Sequence, residues 1–144
     1  MIFDEQMREK VAYIESVIGA YMPQECTFQQ TIADAMNYTM SAGGKRIRPM
    51  LMKACFDLYG GDSKLVEPFM AAMEMIHTYS LIHDDLPALD NDDYRRGRKT
   101  AHIVYGEDMA ILAGDGLLNY AFETASKAFD MLEVNLIPDD GQPI

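Results

Sequence analysis

The sequence has no tryptophan and only two cysteines, and its 12 Lys and Arg stand against 23 Asp and Glu, for a net charge of -11. That acidic balance argues against a general nucleic-acid binder, which needs a basic face. Cys26 and Cys55 form no metal-ligand or disulfide spacing, so a reduced, cytoplasmic setting is expected. No apolar run is long enough to span a bilayer and no signal peptide is recognisable, so no membrane partner is expected. Internal repeats, low-complexity tracts and convincing strand alternation are also missing. What remains is 144 residues of which 49% are apolar, enough for one domain with a core. The twelve methionines fit adaptable packing in a helical core.

Apolar spacing predicts an all-α chain. Val11, Ile14, Val17, Ile18 and Tyr21 mark a helix over Phe3 to Tyr21, stopped by Pro23. Further helices are expected over Thr27 to Met40, Arg48 to Tyr59, Lys64 to His83 and Asp108 to Leu132. Gly43-Gly44 and Gly60-Gly61 act as stops, and Pro49 and Pro68 are tolerable in first turns. The helical domain is expected over 1-132. Residues 133-144 are expected to form a tail, in which Asp139-Asp140 is a solvated end rather than a metal motif.

Between the fourth and fifth helices lies a loop with five aspartates in ten positions: Asp84, Asp85, Asp90, Asp92 and Asp93. Arg95, Arg96, Arg98 and Lys99 follow at once. The signs are in blocks, not interleaved as on a salt-bridged surface. Acid followed by base suits a polyphosphate ligand, held through divalent metal on one side and guanidinium groups on the other. A solvated acidic loop is the plain alternative. A calcium loop fails, because starting at Asp90 the fifth position is Tyr94 and the sixth is Arg95. The apolar helix-like run ending at His83 favours a site, since it would deliver Asp84 from the end of a buried helix. Asp90 is six residues further on, off that face in ideal helix, but Pro87 breaks the helix and a turn there would return it beside Asp84.

The second constellation is Gly43-Gly44-Lys45-Arg46-Ile47-Arg48-Pro49. Two glycines permit close backbone approach, and Lys45, Arg46 and Arg48 crowd a helix start, where unpaired N-H groups also favour anions. Cations there oppose the macrodipole, an unfavourable local choice that points to function rather than to a simple helix boundary. The pattern is not a P-loop. His77, alone, reads equally as a packed histidine. Seven residues before Asp84, it shares that helix face at roughly 10 Å along the axis, with Ser80 on the same stripe, so His77 and Asp84 are expected to address one cavity.

Gly-Gly-Lys-Arg-Ile-Arg-Pro, His77, Asp-Asp-Leu-Pro-Ala-Leu-Asp, Arg95-Arg96 and the run Gly106 to Asp115 occur in the order that resembles the trans-isoprenyl diphosphate synthases, the polyprenyl synthetases. The resemblance covers roughly positions 25 to 130. It implies an isoprenoid-synthase helical bundle, usually dimeric, that condenses isopentenyl diphosphate with an allylic diphosphate, dimethylallyl or geranyl, using Mg2+. Carried over by position, Asp84 and Asp90 are the expected Mg2+ ligands, with Asp85 in supporting contact. Arg95 is the expected allylic diphosphate contact. Lys45, Arg48, His77 and Arg96 are the expected isopentenyl diphosphate site. Tyr79 and Ser80, five and four positions before the first aspartate, are expected to line the prenyl-chain pocket. Tyr79, with the two extra residues of the aspartate motif, is similar to bacterial farnesyl diphosphate synthases. Helix counting places only Ser80 near the Asp84 stripe.

The family's second aspartate-rich motif is not matched in these 144 residues, since Asp139-Asp140-Gly141-Gln142-Pro143 departs from D-D-x-x-D. The expectation is therefore a truncated synthase with little or no turnover, whose unpartnered apolar helix faces favour a homodimer or swapped oligomer. Alternatives within the family are a geranyl or longer-chain synthase. Outside catalysis, the alternative is a partner subunit that pairs with a complete synthase. A class I terpene cyclase ranks below these, because it has no need of Gly-Gly-Lys-Arg-Ile-Arg-Pro and His77 for a second diphosphate.

Overall fold

In the computed structural model, residues 2-24, 29-61 and 63-132 are described. They form six α-helices and one short β-ribbon: α1 (Ile2–Tyr21), α2 (Gln30–Met40), α3 (Ile47–Leu58), α4 (Glu67–Asp84), β1 (Tyr94–Arg95), β2 (Arg98–Lys99), α5 (Ala101–Tyr105) and α6 (Glu107–Asp130). The expected first residues of α2 and the tail at 133-144 with Asp139-Asp140 lie outside the described residues, as does Cys26; Cys55 is an exposed thiol.

The central pair is α4 against α6, with α1 and α3 packed on α4 and α2 chiefly on α6. The α6 residues Ala110, Ala113, Gly114, Leu117 and Ala121 repeat at three- and four-residue intervals and are buried. Met70, Ala71, Met75 and Ile82 of α4 join them in one core with Ile14, Val17 and Ile18 of α1 and Met36 and Met40 of α2. The helices approach closely where Gly114 faces His83. A Cβ on Gly114 would collide with the imidazole, whose Nε2 lies 3.2 Å from the Ile111 carbonyl oxygen.

Three local features differ from the sequence expectation. The fourth helix does not run unbroken from Lys64: a 3-10 turn at Lys64–Val66, with the Leu65 N-H donating to Ser63 Oγ at 3.3 Å, precedes α4. The fifth expected helix starts one residue earlier, at Glu107, and α5 stands before it, set off by Gly106 at φ 96°. The loop after α4 contains strand, against an expectation of none. Tyr94 pairs with Lys99 and Arg95 with Arg98, antiparallel, around Arg96 and Gly97 at φ 53° and 77°. Two successive positive φ values match the right-handed twist of the flanking strands in a two-residue hairpin. With two residues per strand there was no alternation to read.

Candidate functional site

The Gly43–Arg48 segment, α4 and the ribbon turn meet in an open pocket of about 420 Å³, lined by Gly44, Lys45, Arg46, Ile47, Arg48, Glu74, His77 and Arg96. All four residues expected to contact isopentenyl diphosphate, Lys45, Arg48, His77 and Arg96, therefore face one space although they come from three segments. Ile47, Arg48 and the turn before them carry the start of α3, which has no side-chain cap, so its first N-H groups add to an anion-attracting wall. Burial and the guanidinium groups of Arg48, Arg96 and Arg95 hold the His77 imidazole below its ordinary pKa, against an opposing pull from Glu74.

Arg96 reaches this pocket through Gly44. Its Nη1 donates to the Gly43 carbonyl oxygen, and a Cβ on Gly44 would fall 2.5 Å from the same nitrogen. Gly44 also sits at φ 145°, a conformation that L side chains rarely adopt. Gly44→Ala is expected to push the Arg96 guanidinium out of the pocket and to weaken binding of inorganic diphosphate about tenfold. Calorimetric titration of the variant and the wild type checks this, and equal affinities would refute it.

Arg46 does not behave as the sequence suggested. Grouped there with Lys45 and Arg48 as an anion contact, it turns inward and is 3% exposed. Its Nε and Nη2 donate to the two Glu15 carboxylate oxygens at 2.7 and 3.2 Å, Nη1 to Glu74 Oε2 at 2.8 Å, and Nη2 also to the Met40 carbonyl oxygen at 2.7 Å. Its φ of 47° puts its backbone in the left-handed region at the residue that precedes α3. Partners on α1 and α4 leave no local signature, which is why sequence reading missed them.

The aspartate segment turns as Pro87 suggested. The Asp90 N-H donates to the Asp84 carbonyl oxygen at 2.8 Å, and the Asn91 and Leu89 N-H groups both donate to the Leu86 carbonyl oxygen. Asp84 and Asp90 are thus brought side by side at the exposed end of α4. Asp85 is different: it is 4% exposed and accepts from Arg95 Nε at 2.9 Å to each oxygen and from Arg95 Nη2 at 2.6 Å. Arg95 Nη1 makes no hydrogen bond among the described residues. Among those residues no group of three or more His, Cys, Asp or Glu side chains gathers as a ready metal cage. Two exposed carboxylates fit the donor set of Mg2+, which takes one or two carboxylates and completes its shell with phosphate oxygens and water.

Asp84 lines neither the His77 pocket nor the smaller neighbouring one formed by Tyr38, Thr78, Leu81, Asp85, Arg95 and Arg98. Two helical turns carry Asp84 to the solvent-exposed end of α4. Arg96 lines both pockets and links them. Tyr79 packs edge-on against His83, with ring centroids 5.8 Å apart, and Ser80 Oγ donates to the His77 carbonyl oxygen at 2.8 Å.

A family model described as polyprenyl synthetase matches residues 29–138. The farnesyl diphosphate synthase of Micrococcus luteus is 55% identical over 109 residues, 76% of this chain and 36% of that protein. The geranylgeranyl diphosphate synthase of Cyanophora paradoxa is 55% identical over 116 residues, 80% of this chain and 38% of that protein. Among solved structures, a geranyltransferase from Legionella pneumophila superposes with a TM-score of 0.82 at 35% identity, over 95% of this chain and 46% of that one. The all-α architecture and the ordered motifs define an isoprenoid-synthase fold, and the chain belongs to the polyprenyl synthetase family. It spans less than half the length of these relatives. Among the described residues no helix is long and apolar enough to cross a membrane.

Proposed function

We propose that this chain contributes the isopentenyl diphosphate site and the first aspartate-rich motif of a cytoplasmic, dimeric prenyltransferase that joins isopentenyl diphosphate to dimethylallyl or geranyl diphosphate, with farnesyl diphosphate as product. The convergence of Lys45, Arg48, His77 and Arg96 on one pocket carries this reading. Four donors, three of them cations, neutralise and orient a diphosphate. Arg95, oriented by Asp85, offers its remaining guanidinium edge to the allylic diphosphate. Mg2+ bound by Asp84 and Asp90 would supply the charge that lets the allylic diphosphate leave. The protein's own part is electrostatic and positional: it fixes the nucleophilic double bond against the ionising carbon and offers preorganised donors to the developing diphosphate charge. Tyr79, a bulky ring on α4 packed against the core, would close the chain pocket at fifteen carbons.

The similarity to a geranylgeranyl diphosphate synthase supports a twenty-carbon product as the second reading. Titrating isopentenyl diphosphate into isotope-labelled protein is expected to shift the resonances of Lys45, Arg48, His77 and Arg96. No shift there at millimolar ligand would sink the proposal. Product extraction after incubation of a full-length synthase carrying these residues with geranyl and isopentenyl diphosphates separates the two chain lengths.

A further inference from the structure

A pocket built to take a diphosphate has a carboxylate in its wall. Glu74 lines the same space as Lys45, Arg48, His77 and Arg96, one helical turn before His77. It is 3% exposed, so water does little to screen it. Left ionised and unpaired, it would repel the ligand and offset one of the surrounding cations. Its partner in the structure is Arg46, whose side chain is 1% exposed and holds Glu74 at 2.8 Å. The other edge of the same guanidinium is taken by Glu15 and the Met40 carbonyl oxygen, so three helices are tied to the turn that carries Lys45 and Arg48.

We infer that Arg46 is a positioning residue for the diphosphate pocket: its guanidinium cancels the Glu74 charge in the pocket wall. Arg46 does not reach the ligand, because its own side chain is covered. The division of labour among three neighbouring cations follows. Lys45 and Arg48 are exposed and bind; Arg46 is buried and removes the obstacle. Glu15, 40% exposed in its side chain, is screened by solvent and lies outside the pocket lining. This inference rests on the reading of the pocket as a diphosphate site.

The test uses Arg46→Gln, the double variant Arg46→Gln with Glu74→Gln, and Glu15→Gln, each checked for fold by circular dichroism. Two quantities are measured on the 144-residue chain: the ligand-free titration of His77 by NMR, and the affinity for inorganic diphosphate by calorimetry. The charges facing His77 are Glu74 on α4, Arg48 on α3, and Arg95 and Arg96 of the ribbon. Unmasking Glu74 in Arg46→Gln is expected to raise the His77 titration and to weaken diphosphate about tenfold. Removing both charges is expected to return His77 to or below its wild-type titration and to restore affinity to within about threefold. Glu15→Gln leaves Glu74 paired and is expected to change neither quantity.

A folded Arg46→Gln with unmoved His77 and unchanged affinity would overturn the inference. A His77 response in a protein whose wild type binds no diphosphate would retain the Arg46–Glu74 cancellation while refuting the pocket assignment. Should Arg46→Gln not fold, the double variant decides alone, since it buries no unpaired charge. Loss of more than about tenfold in affinity by the folded double variant would mean that Arg46 attracts the ligand directly, and the inference would fail.

Discussion

Asp84→Asn is expected to remove most of the Mg2+-dependent binding of geranyl diphosphate, a loss upwards of about a hundredfold, and Asp84→Asn with Asp90→Asn to remove all of it. Loss of groups that merely orient metal ligands costs about ten- to a hundredfold in metal affinity, so loss of a carboxylate that touches the ion should cost more. Both side chains are exposed at the end of α4. The backbone bond from the Asp90 N-H to the Asp84 carbonyl oxygen does not involve either side chain, so the turn should survive the substitution. Calorimetry with and without Mg2+, at fixed ionic strength, separates the metal-dependent part from plain anion binding. An Asp84→Asn protein that still gains affinity on adding Mg2+ would show that the ion is held elsewhere.

Asp85→Ala should act through stability as well as binding. Asp85 is covered and accepts three hydrogen bonds from the Arg95 guanidinium, while Arg95 keeps 33% of its side chain exposed. Breaking a fully buried pair costs about 3 to 5 kcal/mol. Water can solvate the abandoned Arg95, so about 2 kcal/mol is the expected loss here. The freed arginine loses its orientation, and affinity for the allylic diphosphate should fall with it. Urea unfolding of Asp85→Ala reads the first effect; a midpoint matching the wild type would show that the ion pair contributes nothing to holding the ribbon on α4. The Asp84 and Asp85 variants are thus distinguishable although the residues are adjacent: one loses metal response at intact stability, the other loses stability as well.

That contrast marks how far the sequence could be read. The turn that returns Asp90 to Asp84 was legible because Pro87 cannot continue a helix. The grouping of Lys45 and Arg48 at one site was legible because they sit where a helix start favours the opposite charge. The helices were legible from their apolar period, with ends shifted by only a few residues. The inward turn of Arg46 was not, because its partners Glu15 and Glu74 lie 31 and 28 residues away and a left-handed arginine has no local marker. The difference in burial between Asp84 and Asp85 was not legible either, since it depends on the ribbon bringing Arg95 back over α4. The ribbon itself is too short to show a period. Residues whose roles depend on local backbone chemistry were readable, and those assigned by tertiary neighbours were not.

The seam between α4 and α6 carries a consequence of another kind. Gly114, between the buried Ala110, Ala113 and Ala121 of the same helix, sits at a separation where one added carbon meets the His83 imidazole. Substitution along this seam is therefore one-sided: a larger residue is resisted at almost every step, whereas the outer flank of α6, with Ile111, Leu112, Phe122 and Phe129 open to solvent, can accept polar replacements at little cost to the fold of this chain. Neutral drift in such a protein should therefore leave the seam nearly still.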